Sequence, residues 1–285
     1  MKFLPAPVRA LAPAALLALA LAPACTSTRI LLDPSPCLTI DAGTVRLRGD
    51  VDGAMEACAE LALTPEIRRV VVNSPGGSTQ AGREIGRMIA RSPRTLVIDG
   101  QCASSCGNYF VPAAVRIEAT PGSVIALHGT PDPALAARSA EQLGEELSAE
   151  LMAGRITGAE RRAALDNLSR TASQQLDAEA RFAADFSVPP GWRLYREDPE
   201  EPLSDTYRRH FDGAPRPSPV AGPAILIVEP TMLESCLPQL DSFDYRSTFE
   251  ESVISDPDVR AEIEGLGGVF SGTLACKPPE GDPVS

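Results

Sequence analysis

Three short segments hold residue types that can perform acyl transfer if they meet: Asn73-Ser74-Pro75-Gly76-Gly77-Ser78, Gly100-Gln101-Cys102-Ala103-Ser104 and Ile125-Ala126-Leu127-His128-Gly129. A serine hydroxyl is a poor nucleophile until a base takes its proton. Backbone N–H groups must also face the oxyanion that develops. A Gly-Gly turn after a strand frees its amides from the ladder and lets a substrate carbonyl approach closely. A serine where a strand gives way to a helix stands at an exposed sheet edge. The amide after it lies at the helix N-terminus, unpaired and favourable to negative charge. A histidine at the C-terminal end of a strand reaches the same edge, where open α/β sheets bind ligands. Each piece alone has an ordinary reading: a turn, a helix N-cap, a structural histidine. Their conjunction, with Ser104 and His128 24 positions apart, points to a nucleophile and its base.

The elements that must position these residues follow from periodicity. Residues 44–47 read as a short strand, and 52–61 as a helix with Met55, Cys58 and Leu61 on one face. Residues 69–72 form a β-branched run ended by the Pro-Gly-Gly turn. Ser78 or Thr79 then caps a helix carrying Ile85, Met88 and Ile89 at helical spacing. Residues 96–98 read as a strand, 104–111 as a helix, and 115–119 and 123–127 as two further strands. Strands alternating with helices predict an α/β fold with a mostly parallel sheet and flanking helices. Residues 132–186, rich in Ala, Glu, Leu and Arg, predict an inserted pair of amphipathic helices broken at Gly154. Residues 188–223, rich in Pro, Gly and charge, predict a long loop. Residues 224–228 return as a strand, a short helix follows near 232–236, and the tail after 277 reads as disordered.

The three segments resemble the proteolytic subunit of Clp protease in motif, order and spacing. That family has an Asn-Ser-Pro-Gly-Gly turn, a Gly-Gln-Ala-Ala-Ser nucleophile segment and a histidine two short strands later. The resemblance covers roughly residues 43–130, with a weaker echo at 224–245. It implies a ClpP/crotonase-like fold, Ser104 as nucleophile, His128 as general base, and the amides of Gly77 and Ser105 as the oxyanion hole. It also implies a peptide or protein substrate, no cofactor, no metal, and a helical region 132–186 that serves self-association into a homo-oligomer or acts as a lid. The chain departs from the family at Ser105-Cys106-Gly107-Asn108, where the family runs straight to Met-Gly. The family's third residue, an Asp, has only a weak candidate here in Asp177, with Asp185 no better placed.

The N-terminus sets the expected compartment. Lys2 and Arg9 precede an apolar run over residues 10–22, and Ala22-Pro23-Ala24 supplies a small-residue cleavage pattern. Residues 1–24 therefore read as a secretory signal peptide, 25–42 as a linker, 43–245 as the domain and 246–285 as a C-terminal extension. Cys25 follows the predicted cut in a context like that of lipoproteins, so lipidation of Cys25 would anchor the chain to a membrane in the periplasm or outer membrane. Six of the 7 cysteines then remain, an even number that an oxidising compartment would pair: Cys37, Cys58, Cys102, Cys106, Cys236 and Cys276. Cys236 and Cys276 both lie beyond the long loop and are expected to pair. Cys102–Cys106 and Cys37–Cys58 are then the simplest remaining bridges.

Charge and composition exclude several classes. A net charge of −12 opposes nucleic-acid binding and a polybasic hold on lipid. The two histidines, His128 and His210, lie near no Cys-x-x-Cys pair, which argues against zinc. Lys2 and Lys277 are the only lysines, so a Ser-Lys site like that of signal peptide peptidase A has no partner for its serine. The chain has no phosphate-binding loop, so ATP-driven proteolysis is not expected. Two readings result: an ATP-independent envelope serine hydrolase or peptidase, and a non-catalytic, lipid-anchored scaffold that kept the fold.

Overall fold

The computed structural model describes residues 35–131, 133–193, 206–209, 215–217, 225–246, 269–272 and 276. The signal segment, Cys25, His210, most of the loop read over 188–223 and the tail after 277 lie outside them.

Burial along three strands builds the centre. In β2 (Thr44–Arg48) and β3 (Arg69–Ser74) every second side chain is buried, and the more central β4 (Thr95–Ala103) buries Leu96, Val97 and Ile98 in a row. Val45, Leu47, Val70, Val72, Leu96 and Ile98 point to one face and join a single core. Helices α1 (Gly53–Ala62) and α2 (Thr79–Ala90) supply Met55, Ala59, Ile85, Met88 and Ile89 to that core. Each helix starts where a side chain satisfies its first free amides: Asp52 accepts from Ala54 and Met55, and Ser78 accepts from Ala81. Leu61, expected on the buried face of α1, is 82% exposed. Six residues beyond Met55 the helix has turned roughly 120° away from it, and Ala59 and Leu63 fill the face instead.

Parallel pairs β2–β3 and β3–β4 continue through two partners of β4. Its first half pairs with β5 (Arg116–Ala119) and its end with β6 (Val124–Leu127), both parallel. The partner change occurs at Gly100, whose φ is 109° and whose amide donates to Ser123 Oγ at 2.9 Å. A Cβ there would lie 2.5 Å from the Asn73 side chain, so the kink requires glycine. Beyond β6 lie α4 (Pro133–Met152), α5 (Gly158–Asp185), β7 (Thr206–Arg209), β8 (Pro215–Pro217), β9 (Ile225–Val228), α6 (Pro230–Cys236), β10 (Ser242–Asp244) and β11 (Val269–Gly272). A short α3 (Val111–Ala113) precedes β5.

With β1 (Cys37–Asp41) at one edge, the described strands form one sheet in the order β1-β2-β3-β4-β6-β9-β11-β7-β8, with β5 and then β10 branching from β4. The architecture is mixed α/β, mostly parallel around β4, with flanking helices.

Three details differ from the expectations, and a fourth agrees with them. Strand β1 (Cys37–Asp41) lies in the segment read as a linker and pairs antiparallel with β2. The residue after it, Ala42, begins a tight turn whose Gly43 amide bonds the Asp41 carboxylate, so the segment folds back as a hairpin. Strands β7 and β8 lie inside the span read as a loop. Strand β11 comes from the span read as an extension and runs parallel to β9. The two inserted helices break at Gly154, whose φ of 70° ends α4, and a Thr157–Glu160 capping box starts α5.

Candidate functional site

Strand β4 ends at Ala103, and the chain then turns sharply. Ser104 has a φ of 52°, a left-handed conformation that costs a non-glycine residue about 1–2 kcal/mol. The helix expected over 104–111 begins later, as a π-helical turn over Cys106–Phe110 that leads into α3. The serine is therefore not an N-cap. It is the corner of the turn, pinned by its own amide donating to Ala126 O at 2.9 Å and by its carbonyl accepting from Asn108 N at 2.8 Å. Strain of this kind persists where the surroundings over-determine it.

Ser104 Oγ and His128 Nε2 are 2.5 Å apart. His128 follows β6 directly, and β6 pairs in parallel with the end of β4, so the pairing sets the two side chains side by side at the carboxyl edge of the sheet. The histidine is solvent-exposed. Among the described residues no carboxylate bonds its ring. Asp177 is exposed on α5 without a bond to His128, and Asp185 faces Arg87 at 3.5 Å.

The Gly-Gly turn closes the third side. Gly76 has a φ of 99°, and a Cβ on it would lie 2.5 Å from Ser104 Cβ. A parallel bridge to Val51 uses the carbonyl of Gly76 and the amide of Ser78, which leaves the Gly77 amide outside that pairing. Gly77 O accepts from Ser105 Oγ at 2.7 Å, which ties the turn to the Ser104 corner. The Ser105 amide opens the helical turn, where N–H groups have no intrahelical acceptor. The Ser104 hydroxyl thus has an imidazole nitrogen in contact, and the amides of Gly77 and Ser105 lie on neighbouring corners.

Several supporting residues escaped the sequence reading. Buried Ser74 accepts from the Gly76 amide at 3.1 Å and shapes the turn. Buried Asn108 donates through Nδ2 to Gly129 O at 3.2 Å, holding the residue beside His128. Its helical spacing of four from Ser104 was the available signal. Behind the corner, Glu179 of α5 is 2% exposed. It accepts from Tyr109 Oη at 2.6 Å and forms an ion pair with Arg83 of α2. Burial and the Glu179 carboxylate push the Tyr109 hydroxyl far up, so it stays protonated and donates. A Cβ on Gly82 would meet the Tyr109 ring at 2.5 Å, so this glycine admits the ring against α2.

The structure joins Cys37 to Cys58, Cys102 to Cys106 and Cys236 to Cys276. Among the described residues no group of His, Cys, Asp and Glu could hold a metal, and no helix is long and apolar enough to cross a membrane.

Fold and site together define an α/β protein with a serine–histidine pair at the carboxyl edge of a mostly parallel sheet. No protein-family model and no curated protein matches the chain. Solved structures resemble it at low identity. A membrane-bound stomatin-specific protease, 1510-N, in complex with a substrate peptide, is 15% identical over 35% of this chain and 56% of its own, with a TM-score of 0.27. ClpP1 from Listeria monocytogenes is 18% identical over 51% of this chain and 80% of its own, with a TM-score of 0.28. A protein assigned as an enoyl-CoA hydratase, from Mycobacterium avium paratuberculosis, is 18% identical over 49% and 83%, with a TM-score of 0.26. The chain thus spans little more than half the length of the stomatin-specific protease.

Proposed function

We propose that this protein is an exported, ATP-independent serine hydrolase acting on peptide or ester bonds. The observation that carries the reading is the contact between Ser104 Oγ and His128 Nε2 at 2.5 Å, made by a serine in a left-handed corner. Nε2 accepts the hydroxyl proton as Oγ attacks a carbonyl carbon. The negative charge that develops on the carbonyl oxygen is met by the Gly77 and Ser105 amides. His128 then returns the proton to the leaving group, and water repeats the cycle on the acyl-enzyme. The pair works as a dyad, with Asn108 and Gly129 steadying the histidine in place of a bound carboxylate. The Clp-like motif order supports a peptide or protein substrate, with the chain acting singly or as a homo-oligomer. The signal-like N-terminus supports export to the periplasm or outer membrane, with Cys25 as the lipid anchor. A mature N-terminus at Cys25 carrying acyl groups in mass spectra is the expected result, and an uncut N-terminus rules it out.

A fluorophosphonate probe tests the chemistry. It should label Ser104 in the oxidised wild type and leave Ser104→Ala unlabelled. With a substrate found by screening, Ser104→Ala and His128→Ala should each remove nearly all of the rate, and the double variant little more, because the two act as a unit. Independent, multiplicative losses would refute the dyad. An unlabelled wild type would leave the scaffold reading in its place.

A further inference from the structure

The nucleophile corner lies inside a ring closed by a disulfide. Cys102 is the penultimate residue of β4 and Cys106 the first of the π-helical turn, with a sequence separation of 4 and Cα atoms 5.1 Å apart. Ser104 is the midpoint of that ring. Both half-cystines are fully buried.

The three bridges differ in what they can do. A cross-link stabilises the whole fold chiefly by shortening the loops of the unfolded chain, and the gain grows with loop length. Cys37–Cys58 and Cys236–Cys276 span separations of 21 and 40. Cys102–Cys106 closes the shortest ring and contributes least by that route, so its effect is local. It fixes the end of β4 to the start of the helix across the one residue near the site that holds an unfavourable φ without being glycine. The other restraints on the corner depend on the same placement. Gly107 is wedged so that a Cβ would meet Leu127 at 2.8 Å and Ala126 O at 3.0 Å, and Ser105 Oγ reaches Gly77 O only from this turn.

We propose that Cys102 and Cys106 are positioning residues for Ser104. As a dithiol, the 102–106 segment relaxes out of the left-handed corner and Oγ leaves His128. As a disulfide, the corner is formed. The hydrolase is then silent when first made in a reducing compartment and becomes competent on oxidation. The proposal rests on the Ser104–His128 reading above. Oxidation needs a protein-disulfide oxidant. One thiolate of the pair attacks that disulfide to give a mixed disulfide, and the second displaces it. The two electrons and the two thiol protons leave with the oxidant, which departs as a dithiol. Because both sulfurs are buried, the formed bridge resists reduction until the segment opens.

The test compares Cys102→Ala/Cys106→Ala with Cys37→Ala/Cys58→Ala, each with its other bridges intact. The first should lose fluorophosphonate reactivity by about 100-fold, the scale expected for a misplaced reacting group, and lower kcat with KM nearly unchanged. The second should melt at a lower temperature yet label at the wild-type rate. Labelling of Cys102→Ala/Cys106→Ala at the wild-type rate overturns the proposal. Amide hydrogen exchange decides the same point without catalysis. Protection of residues 102–110 should be lost in Cys102→Ala/Cys106→Ala and kept in Cys37→Ala/Cys58→Ala, while protection in β3 stays constant in the first. Unchanged protection with the bridge open overturns the positioning role. An unlabelled wild type would instead defeat the hydrolase reading and leave the exchange result to decide the role of the bridge.

Discussion

The sheet edge and the inserted helical pair are built on different principles. At the edge, β3 buries every second side chain, β4 and β6 each bury three in a row, and the corners at Gly76, Gly77, Gly100 and Ser104 are each constrained by backbone bonds or contacts under 3 Å to a would-be Cβ. In α5, a helix of 28 residues, only Glu179 and Phe182 are buried. These two dock the helix end on α2 and the π-helical turn, with the Phe182 ring edge-on to Tyr109 at 5.2 Å. One region is held by many small restraints that share a core. The other is held by helix propensity, its capping box and a single buried cluster. The lesson is that the site geometry belongs to the first region, while the second is joined to it at one place, the end of α5 behind Ser104, where the buried Glu179–Arg83 pair is flanked by the Phe182–Tyr109 contact and the Asp185–Arg87 pair.

Removing that point should separate the two regions. Glu179→Ala leaves Arg83 buried without its partner and should cost about 3–5 kcal/mol, with exchange protection lost first in the C-terminal half of α5. Arg83→Met/Glu179→Leu/Tyr109→Phe should recover most of the loss, because the apolar set leaves no buried charge or hydroxyl without a partner. Uniform loss of protection across β2–β4 and α5 together would show that the regions are not separable.

Gly76→Ala attacks the edge instead. The Cβ would overlap Ser104 in a backbone conformation that disfavours it, so labelling of Ser104 should fall by about 10²-fold. The α5 exchange pattern should stay unchanged.

Arg94 is the counterpart restraint within the sheet layer. It is fully buried and donates to the carbonyls of Ile67, Met88, Ile89, Leu63 and Thr64, gathering the C-terminal ends of α1 and α2. Arg94→Met keeps the stem and removes the donors. The expected loss is about 2–3 kcal/mol in denaturant unfolding, spread over the whole layer.

The smallest effect is at the start of α5. The Thr157 amide and hydroxyl hold the Glu160 carboxyl below its usual range. A lowered folded-state value means that the cap's contribution is present above the ordinary carboxylate pKa and is lost as pH falls through the lowered one. Amides of the first turn of α5 should therefore exchange faster in acid than their intrinsic rates predict. Glu160→Gln should remove that pH dependence without changing labelling of Ser104.

Much of the first region was legible beforehand because its signals are local. Short apolar and β-branched runs marked β2 to β4, a helix was expected from Asp52 and another capped at Ser78 or Thr79, and the Pro-Gly-Gly turn marked the end of β3. The misses had non-local causes. Leu61 is apolar but falls on the outer face of α1, which only the path of the helix over the sheet decides. Strand β11 lies in the span read as a C-terminal extension, and its partner β9 lies 44 positions earlier in register. Glu179 looked like one acid among many on a solvated helix, two residues from the Asp177 candidate, and only the docking of α5 buries it.

The sequence by itself determined the residue types, their order and the turns: a serine after a strand, a histidine after another, glycines where φ must be positive, and cysteines on either side of the serine. Local propensity and steric restriction suffice for that much. Only the tertiary structure decided that the two strands are parallel neighbours, that Ser104 turns through a left-handed corner rather than capping a helix, and that Oγ and Nε2 meet. Those outcomes depend on which strand pairs with which. Pairing is settled by burial of the whole sheet, a property that no single segment carries.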